Sequence, residues 1–441
     1  MYIQKAEIKN IRSITDFEIA FKNPAGWHVL IGDNGAGKST IIRSIALALV
    51  GDIEAQGLRA NWSDWLRRQT NEGEIRLSTL WVAELDKLKD FKIKNDVIFS
   101  YKLSFYKADV SNGVSLSQVS ENVSDETFLD VINAGITTLD FYNFFSVAYG
   151  PYRRFEGGSS DWNELFENLS FANLSAHLSV FGEDVAFTKT KSWLISLYNT
   201  SNDFTLSKKE RKENLNQLEF IKQLINSEGL LPNNTKLESV NSKDVFFKDG
   251  NGTTISVNQM SDGYRSILSM TFELIRQLVR VYGSELVFKN IEKGEMFIDL
   301  PGVVLVDEID AHLHPTWQTR IGQWFLKYFP KLQFIVTTHS PLVCRAAEKG
   351  SIWRLAAPGS DEKSGEVTGV DRDRLIYGNI LDAYGTEVFG EDVSISQESV
   401  EKQEELVKLN KKKMLDAISP TEEKKLKDLK KVFITDAQIE L

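Results

Sequence analysis

Apolar and polar positions alternate over the first part of the chain in the manner of β-strands. This period of two, with many β-branched and aromatic residues, runs through YIQKAEIKNI, ITDFEIAF, EIRLSTLWVAEL and DVIFSYKLSFYKA. Three continuous apolar runs, in WHVLIG, GVVLVDEID and KLQFIVTTHS, predict strands that are buried on both faces. FYNFFSVAYGPYRRF predicts one more strand, which is interrupted at Gly150-Pro151.

Helical spacing follows the first buried run and recurs later. STIIRSIALALV predicts a helix that stops at Gly51, and residues 160–230 favour helices. Ser207 and Glu210 form a capping-box pattern before a helix that would place on one face Leu215, Leu218, Ile221 and Ile225. A hairpin is predicted in DVFFKDGNGTTISV, and a long helix after Ser261. Buried strands that alternate with helices predict a mainly parallel α/β sheet.

Composition narrows the class of protein. The 441 residues are 42% hydrophobic and carry a net charge of −10, so contacts with nucleic acid would need local basic patches. The single cysteine, Cys344, allows no intrachain disulfide and favours a reducing cytoplasm. No signal peptide and no apolar run of membrane-spanning length are evident in the sequence. We therefore expect a cytoplasmic protein.

The clearest chemical motif is IGDNGAGKST. Gly32, Gly37, Lys38 and Ser39 fit the pattern G-x-x-x-x-G-K-[ST], with a predicted strand before it and a helix after it. Glycines let backbone N–H groups converge on phosphate oxygens, the lysine reaches the β and γ phosphates, and the serine hydroxyl holds Mg²⁺. The motif predicts a nucleotide cradle.

Acidic and polar residues follow the other two apolar runs. In VVLVDEID, the four apolar residues place Asp307 at the end of the predicted strand, where it can bind Mg²⁺ through water, and Glu308 can polarise an attacking water. TTHS closes another predicted buried strand, and its histidine, His339, could contact the γ-phosphate and sense its presence. In NQMSDGYRS, Ser261 and Gly263 lie at a predicted helix start, which favours an anion but equally fits an ordinary helix cap.

Together these segments resemble ABC-type ATPase heads of the branch that includes SMC-like and RecF-like proteins. GDNGAGKS resembles the Walker A motif, VVLVDEID Walker B, DAHLHP the D-loop, TTHS the switch-histidine segment and MSDGYRS the signature. Asp262 stands where the signature usually has glycine, and IKNIRSI resembles the N-terminal strand. The resemblance implies an ABC-type P-loop head with a mixed or parallel sheet, an antiparallel β subdomain, a helical lobe and a charged helical tail.

The resemblance also implies roles for single residues. ATP would be bound by the following positions: Arg12, Ser13, Gly32, Asn34, Gly35, Gly37, Lys38, Ser39 and Thr40. Ser39 and Asp307 would hold Mg²⁺, Glu308 and His339 would act in hydrolysis, and Asp310 would be the D-loop residue. Ser261, Asp262 and Gly263 would complete the site of a second copy. We therefore expect an ATPase that forms a head-to-tail homodimer or a higher even-numbered homo-oligomer.

One feature departs from the family. A glutamine is expected after the strand in SVAYGPYRRF and is not there, which favours slow hydrolysis. Tyr149, Arg153 and Arg154 are the candidates for its role, with no replacement as the alternative. Arg153 and Arg154 could equally be a surface basic pair.

A narrower resemblance connects the layout to prokaryotic anti-phage ATPases, above all the Septu (PtuA-like) ATPase subunit, which works with a separately encoded HNH nuclease. We expect residues 1–370 to form the ATPase head, with a helical lobe inserted at 159–235. Residues 371–441 would form a helical tail for partner docking or oligomerisation, with simple dimer packing or a solvated cap as the alternative. Because the residues after the switch strand are few and mostly helical, we expect no fused Toprim nuclease of the OLD type.

Three functions stay open. The first is a defence ATPase that controls a nuclease. The second is a RecF-like repair ATPase that clamps duplex DNA, for which the basic candidates are Lys208, Lys209, Arg211 and Lys212, and Lys424, Lys425, Lys427, Lys430 and Lys431. The third is a module that binds nucleotide without turnover. A metal site at His312 and His314 is disfavoured by their place in the D-loop-like segment.

Overall fold

The computed structural model describes residues 1–59, 61–83, 85, 87–88, 91–92, 96–107, 114–123, 144–159, 162, 172–290, 294–360, 362–379, 383, 397–415 and 418–432. The chain forms two compact units, Met1–Tyr377 and Gly378–Leu441. Parts of the predicted helical lobe (163–171) and of the predicted tail (384–396 and 433–441) lie outside the described residues. The predicted domain boundaries stay predictions.

All strands of the described ranges belong to the first unit. In chain order they are β1 (Tyr2–Ile11), β2 (Ile14–Ala20), β3 (Gly26–Ile31), β4 (Glu72–Trp81), β5 (Lys87–Leu88), β6 (Phe91–Lys92), β7 (Val97–Lys107), β8 (Val114–Val123), β9 (Ser146–Tyr149), β10 (Lys236–Val240), β11 (Val245–Lys248), β12 (Thr254–Ser256), β13 (Gly302–Val306), β14 (Leu332–Thr337), β15 (Ser351–Arg354) and β16 (Gly365–Glu366).

The helices occur in both units. In chain order they are α1 (Lys38–Val50), α2 (Asp52–Ala55), α3 (Ala172–His177), α4 (Thr188–Ser201), α5 (Lys208–Ile225), α6 (Asp262–Tyr282), α7 (Ser284–Val287), α8 (Pro315–Tyr328), α9 (Gly369–Tyr377), α10 (Gln397–Met414) and α11 (Pro420–Val432). Short 3-10 segments occupy Leu178–Val180, Val257–Gln259 and Pro341–Lys349. Among the described residues, no helix has an apolar stretch of the length that a bilayer requires.

The central sheet has six strands in the order β16-β15-β3-β14-β13-β9. Its neighbouring strands run parallel except for the antiparallel pair of β15 and β16. Every residue of β3, β13 and β14 is buried, as expected for strands that are covered on both faces. The predicted α/β fold with a mainly parallel sheet is confirmed. Because parallel strands end at the same edge, the segments that follow β3, β9, β13 and β14 meet there.

A second sheet of five antiparallel strands has the order β2-β1-β4-β7-β8. Buried and less buried positions alternate along β4, which matches the predicted period of two. β8 was not predicted, since VSLSQVSENV is rich in polar residues; it pairs along its length with β7. The predicted hairpin is confirmed as β11 and β12, which pair antiparallel beside β10.

Within the described residues, helices lie where the sequence patterns predict them. The long helix after Ser261 is α6, and Ser207 and Glu210 form the predicted capping box of α5. The buried residues of α5 are Leu218, Phe220, Ile221, Leu224 and Ile225. Leu215 has the helical spacing predicted for the face of Leu218 and Ile221, but it is 49% exposed, so the face is not buried as far as this residue. The burial of this helix is confined to its C-terminal half.

The second unit contains the helices α10 and α11. They pack through an apolar cluster of Leu406, Leu409, Leu426 and Leu429, against which Ile418 lies partly buried. Ser419 and Glu422 form a capping box at the start of α11: the Glu422 N–H donates to Ser419 Oγ at 3.3 Å, and the Ser419 N–H donates to Glu422 Oε2 at 2.9 Å. Two helices joined in this way form a small core of their own.

Candidate functional site

The glycine-rich loop joins the end of β3 to the start of α1. Gly35 and Gly37 have φ angles of 82° and 98°, which residues with side chains rarely adopt. A Cβ atom on Gly37 would lie 3.4 Å from Ile14 and 3.5 Å from the Ser13 hydroxyl. The loop is thus closed against the β1–β2 turn, and it leads into a helix N-terminus whose backbone N–H groups attract anions.

The ammonium group of Lys38 lies inside this loop. Its Nζ donates to the carbonyl oxygens of Gly32 at 2.7 Å and Asp33 at 2.9 Å. Burial lowers the pKa of Lys38, while the nearby carboxylates of Asp307 and Glu308 act in the opposite direction. These two contacts use two of the three donors of an ammonium group. The arrangement fits a lysine that is held ready to bind a phosphate oxygen.

The side chains predicted to hold Mg²⁺ are in contact. Ser39 Oγ donates to Asp307 Oδ1 at 3.0 Å, and Thr337 Oγ1 donates to the same oxygen at 2.6 Å. Asp307 is only 1% exposed, at the end of β13. A hydroxyl beside a carboxylate is the kind of oxygen pair that Mg²⁺ accepts from proteins. The donor set therefore fits the ion implied by the sequence.

Glu308 has an unusual backbone conformation. Its φ angle is 49°, in the left-handed region, which costs a residue other than glycine of order 1–3 kcal/mol. Its N–H donates to Thr337 Oγ1 at 2.7 Å, and its carbonyl oxygen accepts from Arg153 Nη2 at 3.1 Å. The two contacts hold both sides of the strained residue, as expected where backbone geometry positions a reacting group.

A pocket of about 480 Å³ lies over the glycine-rich loop. Its lining joins the loop to the ends of β1, β13 and β14, through Arg12, Ser13, Asn34, Gly35, Gly37, Lys38, Ser39, Thr40, Glu308 and His339. Gly32 and Asp307 lie beside it and contact Lys38 and Ser39. The structure thus brings together all residues predicted to bind ATP and Mg²⁺ within one chain.

The signature segment lies elsewhere. Among the described residues that line the nucleotide pocket, none comes from this segment. Ser261 is the N-cap of α6 and lines a separate pocket of about 470 Å³ with Tyr264 and the turn between β11 and β12. A Cβ atom on Gly263 would lie 2.7 Å from the carbonyl oxygen of His312. The signature helix therefore begins in close contact with the D-loop-like segment.

The D-loop-like segment also touches the switch-histidine segment. The N–H of His339 donates to Asp310 Oδ2 at 3.4 Å, while Asp310 Oδ1 is buried and has no hydrogen-bond partner among the described residues. His314 caps α8 by accepting from the Thr316 N–H at 3.4 Å. The structure thus gives His314 a helix-capping contact.

The three candidates for the missing glutamine have different surroundings. Arg153 is 4% exposed and its guanidinium contacts the carbonyls of Asp307 and Glu308, so it is not part of a surface pair. Arg154 is half-exposed and pairs with Asp184 at 3.3 Å, as a surface residue would. The Tyr149 hydroxyl is buried without a hydrogen-bond partner in the described part of the chain, and burial raises its pKa.

Sequence reasoning missed two contributors to the site. Thr337 joins Asp307 to the Glu308 backbone, and Ser266 on α6 accepts from Arg153 Nε at 2.8 Å. Two sequence features point towards them: Thr337 stands at the end of an apolar run, and an arginine, Arg153, stands where the family has a glutamine. Neither signal identifies the partner, because the contacting segments are far apart in the chain.

Comparison with known proteins identifies the family of this chain and several relatives. A family model described as "AAA domain, putative AbiEii toxin, Type IV TA system" matches residues 28–345. The "Septu protein PtuA" of Bacillus mycoides is 26% identical over 358 residues, which cover 80% of this chain and 40% of that protein. The "Retron Ec83 probable ATPase" of Escherichia coli is 24% identical over 397 residues, which cover 79% of this chain and 70% of that protein. The chain thus spans less than half the length of the Bacillus mycoides protein.

Solved structures with a similar chain path include an Smc head bound to the C-winged helix domain of ScpA. It has a TM-score of 0.47 and 17% identity, and the match covers 83% of this chain and 98% of that one. The recombination mediator RecF has a TM-score of 0.40 and 15% identity, with 83% of this chain and 98% of that one covered.

Proposed function

The chain belongs to the AAA domain family whose model matches residues 28–345, and from that premise we propose that it is the ATP-hydrolysing subunit of a prokaryotic anti-phage defence complex. In this proposal it dimerises around ATP and controls a separately encoded nuclease. The names of its Septu and retron relatives support a defence-associated ATPase. The resemblance of its signature, D-loop and tail segments to Septu ATPases supports the same assignment.

Within one chain, the residues divide the work of hydrolysis. Lys38 and the loop N–H groups bind the phosphates. Ser39 and Asp307 would hold Mg²⁺, which would neutralise charge on the phosphate oxygens. Glu308 accepts a proton from the water whose oxygen attacks the γ-phosphorus, as the bond to the ADP oxygen breaks. His339, at the pocket wall, contacts the transferred phosphoryl group.

The dimer proposal rests on one observation: the nucleotide pocket and the signature segment lie apart within the chain. The nucleotide pocket is lined by the glycine-rich loop, Glu308 and His339, whereas Ser261 of the signature lines a different pocket. A chain built in this way offers its signature to a second copy. Two copies related by a twofold axis complete both sites at once.

The Glu308→Gln variant tests this proposal. Without the carboxylate, water activation fails while phosphate binding is kept, so we expect ATP to be retained and the dimer to accumulate. Sedimentation of the variant with ATP and Mg²⁺ should show at least twice the monomer mass of 50.0 kDa, and Lys38→Ala on the same background should abolish the change. A mass that does not respond to ATP would count against the dimer, and unchanged turnover would place water activation elsewhere.

The nuclease partner is tested by purification from the native locus. The Glu308→Gln chain should co-purify a small nuclease, an HNH enzyme in our proposal, at fixed stoichiometry in mass spectrometry. Recovery of DNA with no protein partner would instead favour a RecF-like clamp.

The clamp is the second candidate, but the described basic residues give it little support. Among the basic candidates of the tail (Lys424 to Lys431), Lys425 pairs with Glu405 at 2.5 Å and Lys431 pairs with Asp428 at 3.1 Å. On α5, Lys209 lies 3.7 Å from Glu213. Neighbouring carboxylates therefore offset part of the charge that phosphate binding would require.

A further inference from the structure

Arg153 places a buried guanidinium between three segments of the first unit. Its Nε donates to Ser266 Oγ at 2.8 Å, and its Nη1 donates to the carbonyl oxygens of Gly150 and Asp307, each at 3.0 Å. Its Nη2 donates to the carbonyl oxygen of Glu308 at 3.1 Å. A planar group with donors on several edges is suited to joining acceptors that lie in different directions.

The charge of Arg153 is held mainly by neutral acceptors. Burial lowers the pKa of Arg153 to about 10, and the more distant carboxylates of Asp307, Asp310 and Glu308 act in the opposite direction. Its four hydrogen bonds to described residues all go to neutral oxygens, three of backbone carbonyls and one of a hydroxyl. Burying a charged group is costly unless its hydrogen bonds are satisfied. The position of the Arg153 guanidinium therefore depends on the backbone carbonyls that accept from it.

Two of the three segments have separate tasks in the proposed cycle. The end of β13 carries Asp307, for the metal, and Glu308, for the attacking water. α6 carries the signature at its first turn and Ser266 in its second turn. Gly150 directly follows the strand β9, which pairs with β13. Arg153 therefore connects the catalytic end of one site to the helix that serves the site of the other copy.

The Glu308 backbone makes this connection sensitive to small movements. Glu308 has a φ angle of 49°, and Arg153 holds its carbonyl oxygen while Thr337 holds its N–H. Movement of the guanidinium would release one side of a strained residue, and a movement of Glu308 would pull on Ser266 through the same group. The link is therefore able to act in both directions.

We propose that Arg153 is a positioning residue that fixes the Glu308 backbone and couples the nucleotide pocket of a chain to the signature helix of that same chain. The coupling rests on the proposed function, because the signature acts on a second copy. Arg153 lies where the resemblance places a glutamine, yet it contacts the protein backbone and Ser266 and does not line the nucleotide pocket. Through these hydrogen bonds it joins the nucleotide pocket to the signature helix within one chain.

Two variants separate the parts of this proposal. Arg153→Lys keeps the charge but cannot reach four acceptors, so kcat should fall on the order of 10- to 100-fold with little change in KM. Ser266→Ala removes only the link to α6. It should leave the ATP affinity of the single chain unchanged and weaken ATP-driven dimer formation by roughly tenfold, measured by sedimentation in the Glu308→Gln background.

Matched controls lie next to each residue. Arg154→Lys changes the neighbouring exposed arginine, and Ser269→Ala removes another buried hydroxyl of α6, which donates to the Ser266 carbonyl at 3.1 Å. Both controls should behave like the wild type. If Arg153→Lys matches Arg154→Lys in kcat, Arg153 does not position Glu308. If Ser266→Ala dimerises like Ser269→Ala, the coupling is refuted.

A failure of the proposed dimer can be distinguished from a failure of the role proposed for Arg153. If the wild-type pocket binds ATP but Glu308→Gln does not associate, the dimer proposal fails, and with it the coupling between half-sites. The kcat comparison of Arg153→Lys with Arg154→Lys would still decide whether Arg153 positions Glu308. Arg153→Lys and Ser266→Ala change little of the packing, so the test does not depend on a variant such as Arg153→Ala, which would leave a cavity.

Discussion

Replacing Thr337 with valine tests whether one hydroxyl holds the catalytic strand ends together. Thr337 is fully buried at the end of β14, donates to Asp307 Oδ1 at 2.6 Å and accepts from the Glu308 N–H at 2.7 Å. Valine has nearly the same shape without the hydroxyl. The packing is therefore kept while both hydrogen bonds are lost.

The size of the effect follows from these two bonds. A hydrogen bond to a charged group contributes about 1.5–3 kcal/mol, and leaving a buried N–H unpaired costs about 1–3 kcal/mol. Asp307 Oδ1 keeps its contact with Ser39 at 3.0 Å, which reduces the first loss. We expect the free energy of unfolding to fall by about 3 kcal/mol. Turnover should fall as well, because Glu308 loses the partner of its N–H.

Urea unfolding followed by tryptophan fluorescence measures this change. All nine tryptophans precede residue 378, so the signal reports on the Met1–Tyr377 unit. Thr337→Ser is the matched control, since it keeps the hydroxyl and loses one methyl group, about 1 kcal/mol. If the valine and serine variants unfold at the same urea concentration and hydrolyse ATP at the same rate, the reasoning is refuted.

Three further predictions concern other parts of the first unit. Lys38→Ala should lower ATP affinity at least 100-fold in calorimetric titration, because it removes a charge-assisted phosphate contact; retained affinity would overturn the assignment of the loop. Gly263→Ala forces a Cβ atom to within 2.7 Å of the His312 carbonyl, so it should destabilise the unit by about 1–3 kcal/mol in urea and weaken ATP-driven association; wild-type values for both would show that the contact is not tight. Burial lowers the pKa of His177 from 6.5 to about 4, so its neutral form stabilises the fold fully above pH 6.5 and this stabilisation, on the order of 3 kcal/mol, is lost as the pH falls towards 4. In a plot of the urea midpoint of unfolding against pH, His177→Leu should reduce the slope between pH 6.5 and pH 4. An equally steep slope in the variant would show that another group causes the loss.

The sequence predicts the parts of the site that lie on contiguous segments. The apolar runs that became β3, β13 and β14 each end in polar residues, and parallel strands bring those ends to one edge. The glycine pattern then specifies the phosphate loop almost by itself. The pocket residues Lys38, Glu308 and His339 come together for this reason.

The remaining features depend on partners that are distant in the chain. Arg153 is buried because carbonyl groups from two strand ends and a hydroxyl from α6 converge on it, and no local pattern shows that convergence. Leu215 has helical spacing with Leu218 but lies on the part of α5 that is not covered. β8 is a strand despite its many serines, because β7 offers it a full ladder of hydrogen bonds.

The most direct test of the composite site is a mixing experiment. Lys38→Ala disables the phosphate loop, Ser261→Arg disables the signature, and each variant alone should hydrolyse little ATP. In an equal mixture about half of the dimers would be mixed and would contain one intact site, so we predict recovery of roughly one quarter of the wild-type rate. If the mixture stays as inactive as the separate variants, ATP is not hydrolysed between two copies and the central claim is contradicted.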